Sequence, residues 1–183
     1  MTSHVTTRDA TRDGLIANGD IDPPAQAPSA RNLRRVWGNF ATGVAVITAH
    51  DGERPIGFTC QSVVSVSLDP PLMSFCPSRT STTWPLAREV GALCINILAA
   101  DQQEMCRQFA VSGADKFRGI DWSPTGNGAP AISGALAHID GHLVSEHDAG
   151  DHSIAVAAIT ALSADEDSTP LLFFRGSLSG LAG

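Results

Sequence analysis

The feature that most limits the fold of this chain is a series of short apolar and β-branched runs separated by turn residues. VAVITA at 44–49 is the first, and residues 56–68 contain SVVSVSL, in which serines alternate with valines as in a two-faced strand. Pro70 and Pro71 end that run. Further strands are predicted at 72–76, 92–98, 135–145, 152–162 and 171–175. Many short strands with few helices favour an antiparallel barrel over a parallel βαβ sheet.

Residues 1–30 differ in composition from the rest of the chain. They are rich in Thr, Asp, Ala and Pro and show no apolar period, so burial would not offset the entropy of ordering them. We therefore predict a disordered N-terminal tail at 1–30 and one folded domain at 31–183, a length that suits a single core. The domain begins with a predicted amphipathic helix, whose apolar positions at helical spacing are Leu33, Val36, Trp37 and Phe40.

Two further short helices are predicted within the β pattern. Pro85 fits the first turn of a helix that runs through 87–89, because the N–H that proline lacks has no helical partner there. Asp101 is a suitable N-cap for the second, DQQEMCRQFA, with Glu104 at the third position of a capping box.

The charge and hydropathy of the chain exclude several classes of partner. The formal net charge is −7 and no Lys/Arg stripe is present, so the phosphate backbone of nucleic acid would be repelled. No run of about 18 apolar residues occurs, and the N-terminal segment lacks a basic stretch followed by an apolar one. We therefore expect a soluble, cytoplasmic protein that binds neither nucleic acid nor membrane.

The cysteines and histidines do not form a metal-binding pattern. The four cysteines form no C-x-x-C pair and lie in apolar runs, so we predict reduced and mostly buried thiols at Cys60, Cys76, Cys94 and Cys106. The histidines of the late strand pair are scattered along it without a carboxylate or cysteine pattern that would complete a site: His138, His142, His147 and His152. No metal is therefore expected.

A hydroxyl-rich loop, SRTSTT at 78–83, precedes the predicted helix at Pro85. Hydroxyl donors, one arginine and free N–H groups at a helix N-terminus can together hold a phosphate, and the phosphate of FMN would fit such a site. The alternative is that these serines and threonines only cap the helix and fill a surface turn.

The run GFTCQSVVSVSL at 57–68 carries a second candidate. Gly57 would let a planar ligand approach the backbone, and Thr59, Gln61 and Ser62 offer hydrogen-bonding groups. The edges of a flavin ring need a row of such neutral groups rather than a charged catalytic residue. An ordinary barrel strand with a solvated serine face is the alternative.

A third candidate is the turn formed by Gly150, Asp151 and His152. A histidine at the start of a strand can guide a nicotinamide or hold a proton near neutral pH, although such residues also cap turns. The chain has no G-x-G-x-x-G after a strand, no G-x-x-x-x-G-K-[ST] and no G-x-S-x-G. A nicotinamide cofactor would therefore visit transiently and stack on a bound flavin instead of occupying a Rossmann site.

Seven motifs in a fixed order resemble those of the flavin reductase-like, FMN-binding split-barrel family. They are FATGVAVITA at 40–49, GFTCQSVVSVSLDPPL at 57–72, FCPSRTSTTW at 75–84, CINIL at 94–98, FAVSGADKFRGIDW at 109–122, GDH at 150–152 and PLLFFRG at 170–176. The resemblance covers nearly everything after residue 30. Within the family, the sequence is similar to reductase components that supply reduced flavin to aromatic-ring hydroxylases, including those of steroid catabolism.

The resemblance implies a mainly β fold with short helices, an antiparallel Greek-key split β-barrel that forms a homodimer with flavin near the subunit interface. It also implies an NAD(P)H-dependent flavin reductase, an oxidoreductase that reduces FMN or FAD and releases it to a separate oxygenase. The choices between FMN and FAD, and between NADH and NADPH, stay open. A flavin-binding electron carrier without steady turnover and a scaffold dimer without cofactor are the alternatives.

Site residues follow from the resemblance by matching position. The residues implied to line the flavin ring and its ribityl chain are Gly57, Phe58, Thr59, Gln61 and Ser62, continued by Cys76, Pro77 and Ser78. Thr82 and Thr83 are implied to hold the phosphate, and Phe109 to pack beside the flavin. His152 is implied to face the nicotinamide, with Asp151 fixing its tautomer.

Two positions depart from the family pattern. Ala157 stands where the family usually has glycine, and Phe174 stands where it usually has tyrosine. The added methyl and the lost hydroxyl are expected to alter the shape of the pocket. Neither is expected to abolish activity, because hydride transfer between cofactors needs orientation more than any single acid.

Overall fold

A computed structural model describes residues 27–113, 115–165 and 167–181. The helices are α1 (Ala30–Trp37), α2 (Trp84–Val90) and α3 (Gln103–Ala110). The strands are β1 (Thr42–Gly43), β2 (Ala45–His50), β3 (Pro55–Cys60), β4 (Val64–Leu68), β5 (Pro71–Phe75), β6 (Ala92–Ile97), β7 (Trp122–Pro124), β8 (Pro130–Ile132), β9 (Ala137–Ala149), β10 (His152–Ala164), β11 (Leu172–Phe174) and β12 (Ser177–Ser179). Most of the predicted tail at 1–30 lies outside the described residues. Of its last residues, Ser29 caps α1 by accepting the Asn32 N–H at 3.3 Å.

Seven strands form one antiparallel sheet in the order β3-β2-β6-β9-β10-β5-β4. Neighbours that are distant in sequence, such as β2 and β6, show that the sheet is not a simple meander, as Greek-key connectivity requires. Its edge strands, β3 and β4, are consecutive in the chain and separated only by residues 61–63. The sheet therefore curls until its edges approach each other at that link, which gives a partly open barrel. The prediction of a mainly β, antiparallel fold with short helices is confirmed.

The core has two parts, one on each face of the curved sheet. One part encloses Ile47 and Phe75 with the Trp84 side chain of α2. The other packs Val46 and Phe109 against the outer face of the same strands. Because both faces of β2 are covered, its residues from Ala45 to Ala49 are all buried, and the sequence VAVITA shows no polar alternation.

The predicted single strand at 56–68 is wrong, because the structure divides it into β3 and β4. The chain turns at Gln61 and Ser62, and β4 then pairs with β5 and not with β2. The Ser62 hydroxyl accepts the Cys76 N–H at 2.8 Å and fixes this turn to the end of β5. Alternation of serine and valine continues through the turn, so the sequence pattern does not mark the break.

The predicted cap of the third helix is also wrong. Gln102 and not Asp101 is the N-cap of α3, and Glu104 falls at the second helical position, where it forms no capping box. The Gln102 side chain is committed to tertiary contacts, since its Oε1 accepts the Ala99 N–H and its Nε2 donates to the Ser133 carbonyl, both at 3.0 Å. Among the described residues, no helix is long and apolar enough to cross a bilayer.

Candidate cofactor-binding site

One groove, the ring groove, has a volume of about 790 Å³ and brings together residues from five separate segments of the chain. Its predicted members are Phe58, Thr59, Gln61, Ser62, Cys76, Pro77 and His152, and its unpredicted members are Trp37, Cys60 and Ala110. The first four come from the end of β3 and the turn before β4, and Cys76 and Pro77 follow β5. The polar groups that the sequence assigned to a planar ligand therefore do lie along one concave surface.

The hydroxyl groups of the ring groove are held by the backbone. Thr59 Oγ1 donates to the Cys106 carbonyl at 2.7 Å, which ties β3 to α3. Ser62 Oγ lies 3.2 Å from Cys60 Sγ in addition to accepting the Cys76 N–H. Because these contacts fix the side chains before any ligand arrives, the groove is preorganised for hydrogen bonds to the edge of a ring.

The wall that carries His152 is a short antiparallel ladder between the loop after β5 and the start of β10. Ser78 and His152 form a bridge, the Arg79 N–H donates to the Asp151 carbonyl at 3.0 Å, and the Ser153 N–H donates to the Pro77 carbonyl at 3.0 Å. The side chain of His152 lines the ring groove, whereas that of Ser78 lines a different groove. Ser78 therefore lies outside the ring groove, and its predicted contact with a flavin stays a prediction.

Asp151 and His152 form a pair at the rim of the ring groove. His152 Nδ1 lies 2.7 Å from Asp151 Oδ1, and this hydrogen bond lowers the pKa of the Asp151 carboxyl. A carboxylate can only accept, so Nδ1 carries the proton in this contact and Nε2 is left as the free ring nitrogen. The tautomer that the resemblance implied is the one that this geometry favours.

A second groove, the phosphate groove, has a volume of about 500 Å³ and lies beside the first along β3. Thr82 and Thr83 line it, as predicted for a phosphate site, together with Gly57 and two cationic side chains, Arg54 and Lys116. Lys116 Nζ donates to Thr83 Oγ1 at 3.2 Å, and burial lowers the pKa of Lys116. A partly desolvated ammonium beside hydroxyl groups is a strong partner for a phosphate.

The hydroxyl loop supplies less to the phosphate groove than its sequence indicated. Ser81 Oγ accepts the N–H groups of Thr83 at 3.3 Å and Trp84 at 3.0 Å, so the first N–H groups at α2 are already capped. Arg79 lies in the other groove and forms an ion pair with Asp148 at 3.1 Å. The prediction of free helix N–H groups and a loop arginine is therefore wrong, and the positive charge comes from Arg54 and Lys116.

The third groove, about 460 Å³, lies on the far side of the ladder and is strongly polar. At its centre, Glu146 accepts from Trp84 Nε1 at 2.8 Å and from Arg88 at 3.2 Å. Burial alone would raise the pKa of Glu146, but hydrogen bonds from Trp84, Ser153 and Arg88 together lower it. This carboxylate is satisfied by the protein itself, so we assign the groove a structural role.

Gly57 and Phe109 contact each other in the core. A Cβ on Gly57 would lie 2.7 Å from Phe109 Cε1 and 3.3 Å from the Ile47 carbonyl oxygen. The ring of Phe109 is fully buried behind β3. The structure thus gives Gly57 a packing reason that the sequence did not show, and direct packing of Phe109 beside a flavin stays a prediction.

The two positions that depart from the family pattern lie away from both grooves. Ala157 is fully buried in the barrel core, and Phe174 lies under the guanidinium of Arg175 at 5.0 Å. Neither side chain lines the ring groove or the phosphate groove. The expected change in the shape of the pocket is therefore not found in the walls of either groove.

All cysteines are free thiols, and three of them are buried: Cys60, Cys94 and Cys106. Burial raises the pKa of each of these thiols, to about 12 for Cys94, where Asp140 adds to the effect. The prediction of reduced and mostly buried thiols is confirmed.

Among the lining residues that sequence reasoning missed are Lys116 and Trp37. Lys116 is the single lysine of the chain and belongs to the ADKF part of a family motif, and this could have indicated it. Trp37 was assigned to the apolar stripe of α1, yet this residue is 69% exposed and lines the ring groove. No local pattern connects either residue to β3, because both contacts depend on tertiary structure.

Comparisons with known proteins show which sequences this chain is similar to. The chain is 44% identical over 173 residues to "Flavin-dependent monooxygenase, reductase subunit HsaB" of Rhodococcus jostii, a match that covers 94% of this chain and 85% of the relative. It is 39% identical over 149 residues to "FMN reductase (NADH) SmoA" of Agrobacterium fabrum, covering 81% of this chain and 84% of the relative.

Solved structures of similar proteins share the fold. The nitrilotriacetate monooxygenase component B homologue of Mycobacterium thermoresistibile superposes with a TM-score of 0.80 at 44% identity, covering 83% of this chain and 86% of that one. BorF, the flavin reductase component of a bacterial two-component tryptophan halogenase, gives 0.79 at 34% identity, with 85% and 99% covered. The family model described as "Flavin reductase like domain" matches residues 37–182. The chain therefore belongs to the flavin reductase-like family and has its split-barrel fold.

Proposed function

We propose that this protein is an NADH-dependent flavin reductase that supplies reduced flavin to a separate oxygenase component. The observation that carries the proposal is the continuity of the two grooves along β3. Gly57 lines the phosphate groove, while Phe58 and Thr59 line the ring groove. A ligand with a flat polar ring at one end and a phosphate at the other would lie along this strand, and FMN and the FMN half of FAD have that form.

The residues present fit a flavin. When bound, the flavin accepts a hydride from a reduced nicotinamide and passes the electrons onward. Thr59, Gln61 and Ser62 supply neutral groups for the ring edge, and Thr82, Thr83 and Lys116 supply donors for the phosphate. These last three side chains all line the phosphate groove.

His152 and Asp151 are proposed to position the nicotinamide. The free Nε2 of His152 is an acceptor when Nδ1 donates to Asp151, so it can receive the N–H of a carboxamide. The pair lies at the rim of the ring groove, where His152 is half-exposed and accessible to a visiting ring. Orientation of the two rings, and not acid catalysis, is the role assigned to this pair.

Steady-state oxidation of NADH in the presence of free FMN or FAD tests the proposal. We expect continuous turnover, because the relatives are named as a flavin reductase, a reductase subunit and an FMN reductase (NADH). Tight retention of flavin through gel filtration with only slow, single-turnover reduction would instead identify an electron carrier. A complete absence of NADH oxidation with both flavins would refute the assignment.

The homodimer is proposed from exposed apolar side chains on the edge strand β4. Val64, Val66 and Leu68 are 54%, 53% and 89% exposed on a strand that is bulged at Val66 and whose outer edge has no partner in the sheet. An apolar edge strand of this kind is covered by a partner in stable proteins. A second copy of the chain is the proposed partner.

Replacing Val66 with aspartate is therefore expected to convert the dimer into a monomer, because a charge would be buried without a partner at the subunit contact. Light scattering after gel filtration measures the mass directly. Val111→Asp is a matched control, since Val111 is equally exposed at 53% but lies outside the sheet edge. A wild-type mass of one chain, or an unchanged dimer in Val66→Asp, would contradict this assignment.

A further inference from the structure

Trp37 is an exposed aromatic residue at the mouth of the ring groove. It is the last residue of α1, which lies outside the barrel, and 69% of its surface is exposed. The other aromatic side chain of this groove, Phe58, is only 8% exposed and belongs to the barrel core. Trp37 therefore offers the groove an open aromatic face that a ligand from solvent can reach.

The position of Trp37 is fixed by contacts at the end of its helix. The Arg175 N–H donates to the Gly38 carbonyl at 2.9 Å, and the Arg175 guanidinium donates twice to Asn39 Oδ1, at 3.0 and 2.8 Å. Asn39 Nδ2 in turn donates to the carbonyls of Arg35 and Val36. These bonds join the end of α1 to the turn between β11 and β12, so the backbone that carries Trp37 is held beside the groove.

We propose that Trp37 binds an aromatic ring of the nicotinamide dinucleotide by stacking, and thereby positions the electron donor at the ring groove. The inference rests on the proposed reductase function. The polar edge of the flavin is matched by β3 and the turn at 61–63, which form the inner wall of the groove. An exposed indole has one N–H and a large apolar face, so it suits a second ring that arrives from solvent.

Stacking on one exposed side chain also suits a ligand that must leave after each turnover. An aromatic pair of this kind contributes enough binding free energy to hold the donor while it reacts. It does not bind as tightly as a dedicated dinucleotide domain. Either the nicotinamide or the adenine ring has the required chemistry, and both belong to the same donor.

The test compares Trp37→Ala and Trp37→Phe with Leu33→Ala as a matched control. Leu33 is an exposed apolar residue of the same helix, at 44%, and does not line the groove. At saturating flavin, Trp37→Ala is expected to raise the KM for NADH about three- to tenfold with kcat and the flavin Kd unchanged. The KM of Trp37→Phe for NADH should stay close to the wild-type value, because phenylalanine keeps an aromatic face. Leu33→Ala should behave as the wild type.

Reduced nicotinamide mononucleotide, which lacks adenine, identifies the ring that stacks. An equal rise in its KM in Trp37→Ala assigns the nicotinamide ring, whereas an unchanged KM assigns adenine. Each of these results supports the inference, provided that the KM for NADH rises.

Three results would overturn it: an unchanged KM for NADH in Trp37→Ala, a flavin Kd that rises by the same factor as the KM, or an equal effect of Leu33→Ala. The last would show that α1 contributes only through packing. Failure of the proposed function has a different signature, because the wild-type protein would then show no NADH oxidation at all.

Discussion

Replacing Lys116 with methionine is expected to weaken FMN binding about 10- to 100-fold while leaving riboflavin binding unchanged. A hydrogen bond to a charged group contributes about 1.5–3 kcal/mol, which corresponds to that range of affinity. Lys116 Nζ already contacts Thr83 Oγ1 in the phosphate groove, so a phosphate held by this threonine would lie within reach of the ammonium. Riboflavin has no phosphate and would not experience the loss.

Quenching of flavin fluorescence during titration measures both affinities. Arg118→Met is the matched control, because it removes one positive charge from an exposed residue close in sequence that does not line the groove. Equal weakening of FMN and riboflavin binding by Lys116→Met would show that the lysine supports the fold of the site and not the phosphate. An unchanged affinity for FMN would place the phosphate elsewhere.

The pH dependence gives a second measurement on the same residue. Burial lowers the pKa of Lys116, so the ammonium is lost at a lower pH in the folded protein than in the unfolded chain. Between the two pKa values the unfolded chain holds the extra proton, and the free energy of unfolding therefore rises with pH in that window. The affinity for phosphate falls as pH rises, because the ammonium is lost. The ratio of FMN to riboflavin affinity should fall at alkaline pH in the wild type and stay constant in Lys116→Met.

Gly57→Ala is expected to lower the free energy of unfolding of the flavin-free protein by about 1–3 kcal/mol, the range for an overpacked core. The new methyl group would lie 2.7 Å from Phe109 Cε1 and 3.3 Å from the Ile47 carbonyl oxygen. The ring of Phe109 is fully buried and cannot move into solvent without opening the contact between β3 and α3. Denaturant titration without added flavin measures the effect.

A double-mutant cycle identifies the cause of this loss. Phe109→Leu removes the edge of the ring that the methyl group would meet, so the double variant Gly57→Ala/Phe109→Leu should be more stable than the sum of the two single effects predicts. Additive effects would contradict the packing explanation. A flavin-free Gly57→Ala protein of wild-type stability with a weakened flavin affinity would show that Gly57 serves ligand approach, as the sequence alone had indicated.

The sequence predicted the β-rich fold well because its strands carry local signals. The apolar runs that became β2, β5 and β6 are bounded by turn residues and needed no tertiary information. The break between β3 and β4 could not be seen, because it depends on a hydrogen bond between Ser62 and Cys76, which lie on segments 14 residues apart. The cap of α3 was misplaced for a similar reason, since Gln102 is fixed by Ala99 and Ser133.

The candidate site was predicted in outline through the family motifs, and its errors concern charge. The sequence assigned the phosphate site the arginine nearest to the threonines, Arg79. An ion pair with Asp148 holds this residue in another groove. Lys116 lies 33 residues beyond Thr83 and reaches it only through the fold. A sequence pattern can therefore identify hydroxyl groups along one loop, but not the cation that tertiary packing brings to them.

The ladder that joins Pro77 and Arg79 to Asp151 and Ser153 is made by main-chain groups. Its shape does not depend on which side chains it carries, proline's missing N–H apart. Substitutions along this segment can therefore change which ligands the protein binds without changing the backbone of the wall. Such interchangeability offers one physical reason why a single scaffold occurs among relatives named as the reductase subunit of a flavin-dependent monooxygenase, a nitrilotriacetate monooxygenase component and the flavin reductase component of a tryptophan halogenase.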